Sequence, residues 1–433
     1  MSSMSYVRSA VLAGVLAFGA LSASADPSVT VTAGSERILT DGLAGDQSAP
    51  GLALGAGGAF LVWQDNSVHT SGLRVRAQKF DGALTAGAAP LDGSVIATKT
   101  TTGDQENAQV VALDNGGAAL VWQGGYRGKQ AIYARILGSN GVFATKDIKV
   151  NSYGKNYQIT PSVTKLADGN LVVVWASLGQ DGSLLGVFGQ RLSPTGAKLG
   201  KEFQVNQTTL FNQRTPSVAA LKNGGFVVVW ISELQRGEAS VDVYSRIYDA
   251  SGVATNGEFA LNPAANHVCA NPVAVGLPNG GFVVAWSQND DPVRGSGGSV
   301  SDIVGVRSTN SWDIVGCFFD ANGLAGTPAR LNTYTYGDQY APKLAVSGDR
   351  CLAVWTSLGQ DGSREGLFGQ FLALNGDRVG EEFGVNATTV SRQIQPSVAV
   401  DGAGNFSVVW SSFRGGLRGF DIYARSFQAS AAQ

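Results

Sequence analysis

The sequence of 433 residues has little histidine and little charge. Its only histidines are His69 and His267, so a Ser-His-acid triad or a multi-histidine metal site has almost no raw material. Charged residues make up 15% of the chain, against about 25% in a typical globular protein. With 31 basic and 33 acidic residues the net charge is −2, and we expect no nucleic acid as a partner.

Long apolar segments are also scarce. The run from Val11 to Leu21 is too short for a bilayer, which needs about 20 residues. It follows Arg8 and precedes small residues, a pattern typical of a secretory signal with cleavage near Ala25. We therefore expect residues 1–25 to be a signal peptide and residues 26–433 to be a single exported domain, secreted or periplasmic and without membrane insertion.

Glycine, by contrast, supplies 58 of 433 positions, which indicates a turn-rich β protein. The organising feature is a tryptophan that closes an apolar run, as in FLVW, LVVVW and FVVVW. It recurs seven times, at separations of 53 to 69 residues, and such a period indicates a repeat architecture. The seven positions are Trp63, Trp122, Trp175, Trp230, Trp286, Trp355 and Trp410.

Each unit contains four candidate strands. They are typified by 216–221, 226–230, 186–191 and 202–206 for the first to the fourth strand. Asn-Gly and Asp-Gly pairs between the first two strands predict tight hairpins, hence antiparallel meanders. The second strand is apolar at consecutive positions, so both of its faces must be covered. Seven such sheets predict an all-β, seven-bladed β-propeller.

The two ends of the chain complement each other. A fourth-type strand at 36–40 precedes the first unit, whereas the last unit stops after its third strand at 422–427. We predict that residues 36–40 complete the last blade and close the ring, since an open ring would leave an unpaired edge. An open solenoid of seven units is the alternative, and it would not need this complementarity.

Two connections of every blade emerge on one face: the crossover from the fourth strand to the next first strand, and the loop from the second strand to the third. We call it the crossover face. We interpret the recurring crossover glutamine as a partner for backbone groups, and the tryptophan as a wedge between blades. The glutamines are Gln47, Gln105, Gln158, Gln213, Gln339 and Gln393, with Cys269 in the fifth unit.

Aromatic residues that do not repeat are the candidate ligand-binding residues of this face. Exposed rings present flat apolar area with a polar handle to a ligand such as a sugar. The fifth unit also has a Gly- and Ser-rich insertion at about 288–310 that leads into Trp312, which we name as the principal recognition residue. The other candidates are Tyr126, Tyr153, Tyr157, Tyr334, Tyr336 and Tyr340, with Phe211 and Phe413 on the same loops.

The three cysteines are an odd number for an oxidising compartment. Cys269 replaces the crossover glutamine, and Cys317 replaces a polar residue of the third strand. Because both replacements fall in one blade, we predict a disulfide between Cys269 and Cys317. Cys351 occupies an apolar position and is expected to be buried and unpaired.

Carboxylates are the one catalytic resource of the sequence. Asp181 and Asp361, in twin SLGQDGS sequences, are candidates for a glycosidase pair, together with Asp65 and the insertion acids Asp290, Asp291 and Asp302. Asp-Gly is also a turn signal, and turn formation is the interpretation that we favour. The D-x-D-x-D-G spacing of calcium loops is absent, so calcium has weak support and we expect no cofactor.

The motifs W-x-S-x-G-Q-D-G-S, E-F-x-V-N and Q-x-x-P-S-V resemble the tandem propeller-type repeats of secreted bacterial proteins, which often accompany haemolysin-type calcium-binding repeats. The resemblance covers residues 36–427 and is best in the third, fourth, sixth and seventh units. It implies a repeat fold and export. It implies no activity, and the glycine-rich calcium nonapeptides are missing here.

Three functions stay open on the sequence. The first hypothesis is an exported, non-enzymatic propeller that binds an extracellular or cell-surface glycan or protein through loops on the crossover face. The second is a glycan-cleaving hydrolase or lyase that uses acids on the same face, for which a hydrolase needs two carboxyls roughly 5 to 10 Å apart. The third is a structural envelope component without a ligand.

Overall fold

A computed structural model of the chain describes residues 29–67, 72–82, 84, 93–99, 102–237, 240–263, 267–289, 312–415 and 419–431. The expected signal peptide, His69 and nearly all of the insertion at 288–310 lie outside these residues. The described part of the chain consists of 29 β-strands. It contains no helix of the length and apolarity that crossing a membrane requires.

The described strands form seven blades around a central axis, and within a blade the strands are antiparallel. Two short strands begin the chain, β1 (Val29–Ala33) and β2 (Arg37–Ile38), and both belong to the last blade. Blades 1 to 3 follow, with strands β3 (Gln47–Gly55), β4 (Gly58–Asp65), β5 (Arg74–Phe80) and β6 (Val95–Ile96); β7 (Asp104–Ala112), β8 (Ala118–Gly125), β9 (Ala131–Leu137) and β10 (Ile148–Lys149); and β11 (Gln158–Lys165), β12 (Leu171–Leu178), β13 (Leu185–Leu192) and β14 (Lys198–Gln204).

Blades 4 to 7 repeat the pattern, and a single parallel bridge joins blades 4 and 5 at Val241 and Val268. Their strands are β15 (Gln213–Ala220), β16 (Phe226–Glu233), β17 (Val241–Tyr248) and β18 (Phe259–Ala260); β19 (Val268–Gly276), β20 (Phe282–Asn289), β21 (Asp313–Phe319) and β22 (Ala329–Arg330); β23 (Gln339–Ser347), β24 (Arg350–Leu358), β25 (Glu365–Ala373) and β26 (Arg378–Gly384); and β27 (Gln393–Val400), β28 (Phe406–Phe413) and β29 (Phe420–Ala431).

The N-terminal strands close the ring. Arg37 and Ile38 of β2 pair with Ala424 and Tyr423 of β29, and β1 extends the same edge from residue 427 to 431. The inner strand of blade 1, β3, also packs against β27 of blade 7. The predicted closure is therefore confirmed, and the closing segment reaches further toward the N-terminus than residues 36–40.

The core lies between the blades, where the repeated tryptophans pack. All seven indoles are fully buried. Trp175 of blade 3 lies in one apolar cluster with Val121 of blade 2, and Trp63 of blade 1 lies with Val409 of blade 7. Each indole removes about 200 Å² from water, which stabilises the fold by roughly 5 kcal/mol before conformational entropy is subtracted. The wedge interpretation of the tryptophan is confirmed.

Every inner strand contains a bulge two residues after the crossover glutamine position. The bulged residues adopt left-handed φ angles between 49° and 58°. In four blades the N–H group of this residue bonds the preceding blade; for example, Asn107 N donates to Gln64 Oε1 at 2.8 Å and Thr160 N to Gln123 Oε1 at 2.7 Å. The seven are Ala49, Asn107, Thr160, Thr215, Asn271, Ala341 and Gln395.

The crossover glutamines are structural, as the sequence predicted. Gln47 Nε2 donates to Ala44 O at 2.9 Å, and Gln213 Nε2 donates to Leu210 O at 2.8 Å. The amide groups of Gln105, Gln339 and Gln393 make the same bond, each to the carbonyl oxygen of the residue three positions earlier in the chain. Each buried amide therefore fixes the shape of the crossover that precedes its inner strand.

The predicted disulfide between Cys269 and Cys317 is wrong. Cys269 lies opposite Gln288 on one side of β20, while Cys317 lies opposite Val284 on the other side. Four residues along a strand span about 13 Å, whereas bridged Cα atoms lie within about 7 Å. Cys269 Sγ instead donates to Gln288 Oε1 at 3.9 Å, and Cys317 Sγ to Gly326 O at 3.4 Å. Cys351 is buried and unpaired, as predicted.

Candidate functional site: the crossover face

Asp181 and Asp361 shape the crossover face as turn residues. Asp181 Oδ1 accepts from Ser183 N at 3.2 Å, and its Oδ2 accepts from Asn206 Nδ2 at 3.0 Å. Asp361 makes the corresponding bond to Asn386 Nδ2 at 3.3 Å. Each asparagine ends an E-F-x-V-N motif, so the carboxylate ties the loop after the second strand to the crossover. The turn interpretation is confirmed.

Other blades place a carboxylate at the same point by a different route. In blades 4, 5 and 7 it comes from the start of the third strand, where blades 3 and 6 carry Gly186 and Gly366. A Cβ on either glycine would overlap Asp181 or Asp361, so the two arrangements are alternatives for one structural position. The bonds are Asn262 Nδ2 to Asp242 Oδ1 at 2.8 Å, Asn332 Nδ2 to Asp313 Oδ1 at 2.6 Å and Thr40 Oγ1 to Asp421 Oδ1 at 3.0 Å.

Asp65, the third candidate acid, is fully buried and lies 3.1 Å from Arg76 Nε. Within the described residues no group of three or more His, Cys, Asp or Glu side chains is placed to hold a metal ion. Of the acids that the sequence offered for catalysis, Asp181 and Asp361 therefore join loops of this face and Asp65 pairs with Arg76, whereas the insertion acids lie outside the described residues.

Two of the predicted ligand-binding tyrosines, Tyr153 and Tyr157, lie at the junction of blades 2 and 3, and Tyr126 lies on the adjoining loop of blade 2, with its backbone N beside Gly103 of the preceding crossover. Tyr126 lies on the loop after β8 and is 65% exposed. Tyr153 and Tyr157 are half-buried on the next crossover. Gln158 N donates to Gln130 O at 2.9 Å and so joins the two segments.

The other four predicted residues gather at the junction of blades 5 and 6. Trp312 is half-buried, and its carbonyl accepts from Gln339 N at 2.9 Å. Tyr334 is half-buried, while Tyr336 is 64% exposed. Burial raises the pKa of Tyr340 to about 12, as expected of a packed phenol. Tyr336 is thus the member of this group most available to a ligand.

An apolar group that sequence reasoning largely missed lies at the junction of blades 3 and 4. Phe211 and Leu234 both have left-handed φ angles, 64° and 60°, and both are exposed, by 42% and 36%. A left-handed bulky residue is a steric outlier, and such outliers concentrate at functional sites. Other blades place glycine with the same sign of φ at these positions: Gly45, Gly103 and Gly337 for Phe211, and Gly179 and Gly359 for Leu234.

Leu184 and Leu210, 48% and 65% exposed, lie on the neighbouring loops. We call Leu184, Leu210, Phe211 and Leu234 the apolar platform. An alignment of the repeats, searched for positions where a larger residue replaces the glycine of other blades, would have found Phe211 and Leu234.

Asn212 holds the segments of the platform together. Its Oδ1 accepts from Leu185 N at 3.3 Å, and its carbonyl accepts from Glu233 N at 2.9 Å. Glu233 in turn accepts from Asn212 Nδ2 at 2.7 Å and from Arg214 Nε at 2.5 Å. Hydrogen-bonding groups therefore lie directly beside exposed apolar side chains.

The platform is continuous with the tyrosines at the junction of blades 2 and 3. The loop after β12 makes the connection, since Leu178 N donates to Tyr157 O at 3.1 Å and Tyr153 Oη donates to Gly179 O at 3.3 Å. The far end of the same loop bonds Asn212 through Leu185. Blades 2, 3 and 4 thus share one strip, in which the half-buried Tyr153 and Tyr157 adjoin the exposed apolar platform.

A cavity of about 310 Å³ lies where blade 7 meets blade 1, lined by Asp41, Gly42, Leu43 and Asp421. Arg414 Nη1 lies 2.8 Å from Asp41 Oδ1 and 3.2 Å from Asp421 Oδ2. The two carboxylates therefore share one guanidinium nitrogen, which brings them together beside the cavity.

No family model and no curated protein matches this chain. Solved structures do. A protein of unknown function from Dyadobacter fermentans DSM 18053 is 9% identical, with 94% of this chain and all of that chain covered and a TM-score of 0.53. The polysaccharide lyase Uly1 is 9% identical over 90% of this chain and 91% of its own, with a TM-score of 0.54.

The GH93 α-L-arabinofuranosidase of Fusarium graminearum, solved with arabinobiose, is 14% identical over 79% of this chain and 98% of its own, with a TM-score of 0.51. At these identities the likeness shows the propeller fold.

Proposed function

We propose that this protein binds an extracellular or cell-surface glycan on its crossover face, across blades 2 to 4. The observation that carries the proposal is the exposed, left-handed pair Phe211 and Leu234. Each costs of order 1 to 3 kcal/mol relative to an unstrained residue, and glycine stands at the equivalent position in other blades. A strained, exposed apolar residue that the repeat does not require is retained for contact with a ligand.

The chemistry of the strip suits a sugar. A pyranose or furanose ring has an apolar C–H face and a hydroxyl rim, so it needs a flat apolar surface beside hydrogen-bonding groups. Phe211 and Tyr126 provide the rings, and Arg214, Glu233 and Asn212 provide donors and acceptors next to Phe211. Two solved proteins of the same fold, an α-L-arabinofuranosidase and a polysaccharide lyase, act on glycans, which supports glycan as the ligand class.

The proposal favours recognition without cleavage. The repeat-derived carboxylates of the described crossover face are each bonded to an asparagine or threonine that ends a fourth strand. A carboxylate that acted in catalysis would have to give up this bond, and the crossover that it holds would then be loosened. Binding needs no such group.

A glycan-binding screen with isothermal titration of the hits tests the proposal. Phe211→Ala is expected to weaken binding at least tenfold, because it removes the ring that stacks on the sugar. Trp312→Ala tests the residue that the sequence singled out, and the apolar-platform account expects it to change the affinity less than Phe211→Ala does. The proposal fails if no glycan binds, or if Phe211→Ala binds as the wild type does.

A second candidate function is glycan cleavage at Asp41 and Asp421, supported by their shared contact with Arg414 beside the 310 Å³ cavity. Incubating the protein with each glycan that it binds, followed by measurement of new reducing ends and of unsaturated products, tests this function. Release of product that Asp41→Asn abolishes, with glycan affinity retained, would establish cleavage. If no bound glycan gives product, recognition without cleavage remains as the proposed function.

A further inference from the structure

Basic side chains surround the crossover between blades 2 and 3, at one end of the proposed glycan strip. Lys155 lies on the crossover itself, and Arg127 and Lys129 lie on the adjoining loop after β8. Lys149 Nζ reaches to 3.6 Å from the point where a Cβ on Gly154 would stand. Lys198 Nζ, from β14 of the next blade, donates to Ser152 Oγ at 3.3 Å. We call Arg127, Lys129, Lys149, Lys155 and Lys198 the basic cluster.

The basic cluster lacks the carboxylates that accompany cations elsewhere on this face. Arg214, Arg236, Arg392 and Arg414 each form an ion pair, with Glu233, Asp242, Glu365 and both Asp41 and Asp421 respectively. None of the five residues of the basic cluster lies within 4.0 Å of a carboxylate oxygen in the described part of the chain.

Glu202 is the nearby acid, but it is already engaged. Its oxygens accept from Ser152 N at 2.6 Å and from Gln180 Nε2, so it holds the crossover in place. The pKa of Lys198 is lowered by desolvation; Glu202 opposes this shift, and the like charge of Lys149 adds to it. Lys149 and Lys198 therefore repel each other, and all five residues of the basic cluster are exposed to solvent.

The basic cluster is part of the same surface as the tyrosines and the apolar platform. Tyr126 immediately precedes Arg127, and Tyr157 follows Lys155 by two residues, with Tyr157 O bonded to the loop that leads to Leu184 and Asn212. A ligand lying along blades 2 to 4 would meet cations at one end and apolar side chains at the other.

On the basis of the proposed function, we infer that the glycan is a polyanion whose carboxylate or sulfate groups are held by the basic cluster while its rings lie on Phe211 and Tyr126. Exposed cations crowded without counter-charge are stabilised when an anion binds among them. Because the net charge of the whole chain is −2, the attraction is local and comes from this cluster.

The test compares polymers that share a backbone and differ in charge. Dextran and dextran sulfate provide one such comparison, polygalacturonate provides carboxylates without sulfate, and single-stranded DNA is a polyanion without the same sugar rings. Affinity is measured for each at about 50 mM and about 500 mM salt, since exposed charge interactions are largely screened at the higher concentration. The variant Lys129→Ala/Lys155→Ala removes two charges from the cluster. The control Lys222→Ala/Arg364→Ala removes two exposed charges elsewhere.

We expect a charged glycan to bind at least tenfold tighter than dextran at low salt, and to lose about tenfold or more of its affinity at high salt. The cluster variant is expected to lose about tenfold at low salt and little at high salt, whereas the control variant binds as the wild type does. Preference for dextran sulfate or for polygalacturonate identifies sulfate or carboxylate as the group that is read.

Equal, salt-insensitive binding of dextran and its sulfate would overturn the inference and leave the proposed function standing. Equal affinity for single-stranded DNA, or equal effects of the two double variants, would overturn it as well. Absence of binding to any glycan in the wider screen would instead overturn the proposed function, so the two failures are distinguishable.

Discussion

At the scale of single residues, the side chains of the crossover face fall into two groups: those that recur from blade to blade and those that depart from the repeat. The repeated acids, glutamines and asparagines are buried or half-buried and bonded to one another, and the same bonds recur from blade to blade. Phe211 and Leu234 depart from the repeat at positions where backbone geometry favours glycine. Sequence reasoning found Phe211 because it is aromatic, and missed Leu234 because a lone leucine on a loop carries no signal until its φ angle is known.

The backbone strain gives a prediction about stability. Phe211→Gly removes a partly buried ring but relieves a left-handed φ of 64°, so the free energy of unfolding is expected to change by less than about 1 kcal/mol. Ser391→Gly is the matched control at the corresponding position of blade 7, where φ is 76° and no ring is lost, and it is expected to stabilise the fold by about 0.5 to 1 kcal/mol.

Urea denaturation of both variants measures these changes. Destabilisation of Phe211→Gly by 3 kcal/mol or more, the cost of an ordinary core truncation, would show that Phe211 is a packing residue.

The cysteines give a second prediction at this scale. The strand register keeps Cys269 and Cys317 apart, so unfolding the unreduced protein in the presence of iodoacetamide is expected to add three carbamidomethyl groups by intact mass. In the native protein, burial raises the pKa of Cys317 and Cys351 to about 12, and we expect neither thiol to react at pH 8. If only one cysteine were alkylated after unfolding, the other two would be joined, and the predicted disulfide between Cys269 and Cys317 would be supported.

At the scale of elements, the E-F-x-V-N motif shows how one fourth strand fastens the neighbouring blade. The glutamate accepts a backbone N–H group of the preceding crossover, as Glu202 does from Ser152 at 2.6 Å and Glu382 from Thr333 at 2.5 Å. The asparagine accepts from the third strand of its own blade, and Val205 is fully buried between blades. The spacing of this motif revealed a fourth strand in the sequence, but only the coordinates show that its glutamate joins two blades.

The same contact, between a fourth-strand glutamate and the neighbouring crossover, also closes the ring. It gives a third prediction. Glu36 accepts from Ala387 N at 2.5 Å, from Thr388 N at 3.3 Å and from Thr388 Oγ1 at 2.6 Å. Glu36→Ala is expected to destabilise the fold by about 0.5 to 1.5 kcal/mol, because three exposed donors of the crossover lose a charged acceptor and can be rehydrated only in part.

Chemical denaturation measures the loss, and Glu381→Ala, beside the homologous Glu382, serves as a control that leaves the fastening intact. An unchanged free energy of unfolding for Glu36→Ala would mean that this contact does not hold the ring closed.

At the scale of the whole molecule, composition and periodicity predicted the architecture well. Seven buried tryptophans, hairpin turn pairs and the complementary ends gave the number of blades and the closure through β2. The strand β1 was missed because its sequence, VTVTA, belongs to no repeated motif. The strip across blades 2 to 4 was only partly predictable, since its charges come from β10, β14 and two loops that are far apart in sequence and meet through strand pairing.

The central claim is that a glycan lies along blades 2 to 4 of the crossover face. Hydrogen–deuterium exchange of the full-length chain, with and without oligogalacturonate or sulfated dextran oligomers, tests this most directly. The account predicts slower exchange in the segments 125–131, 151–158 and 207–214, and unchanged exchange in the turns at the opposite ends of the blades. Protection confined to 41–46 and 414–421 would move the site to the cavity at blade 7, and protection at neither place would contradict the account.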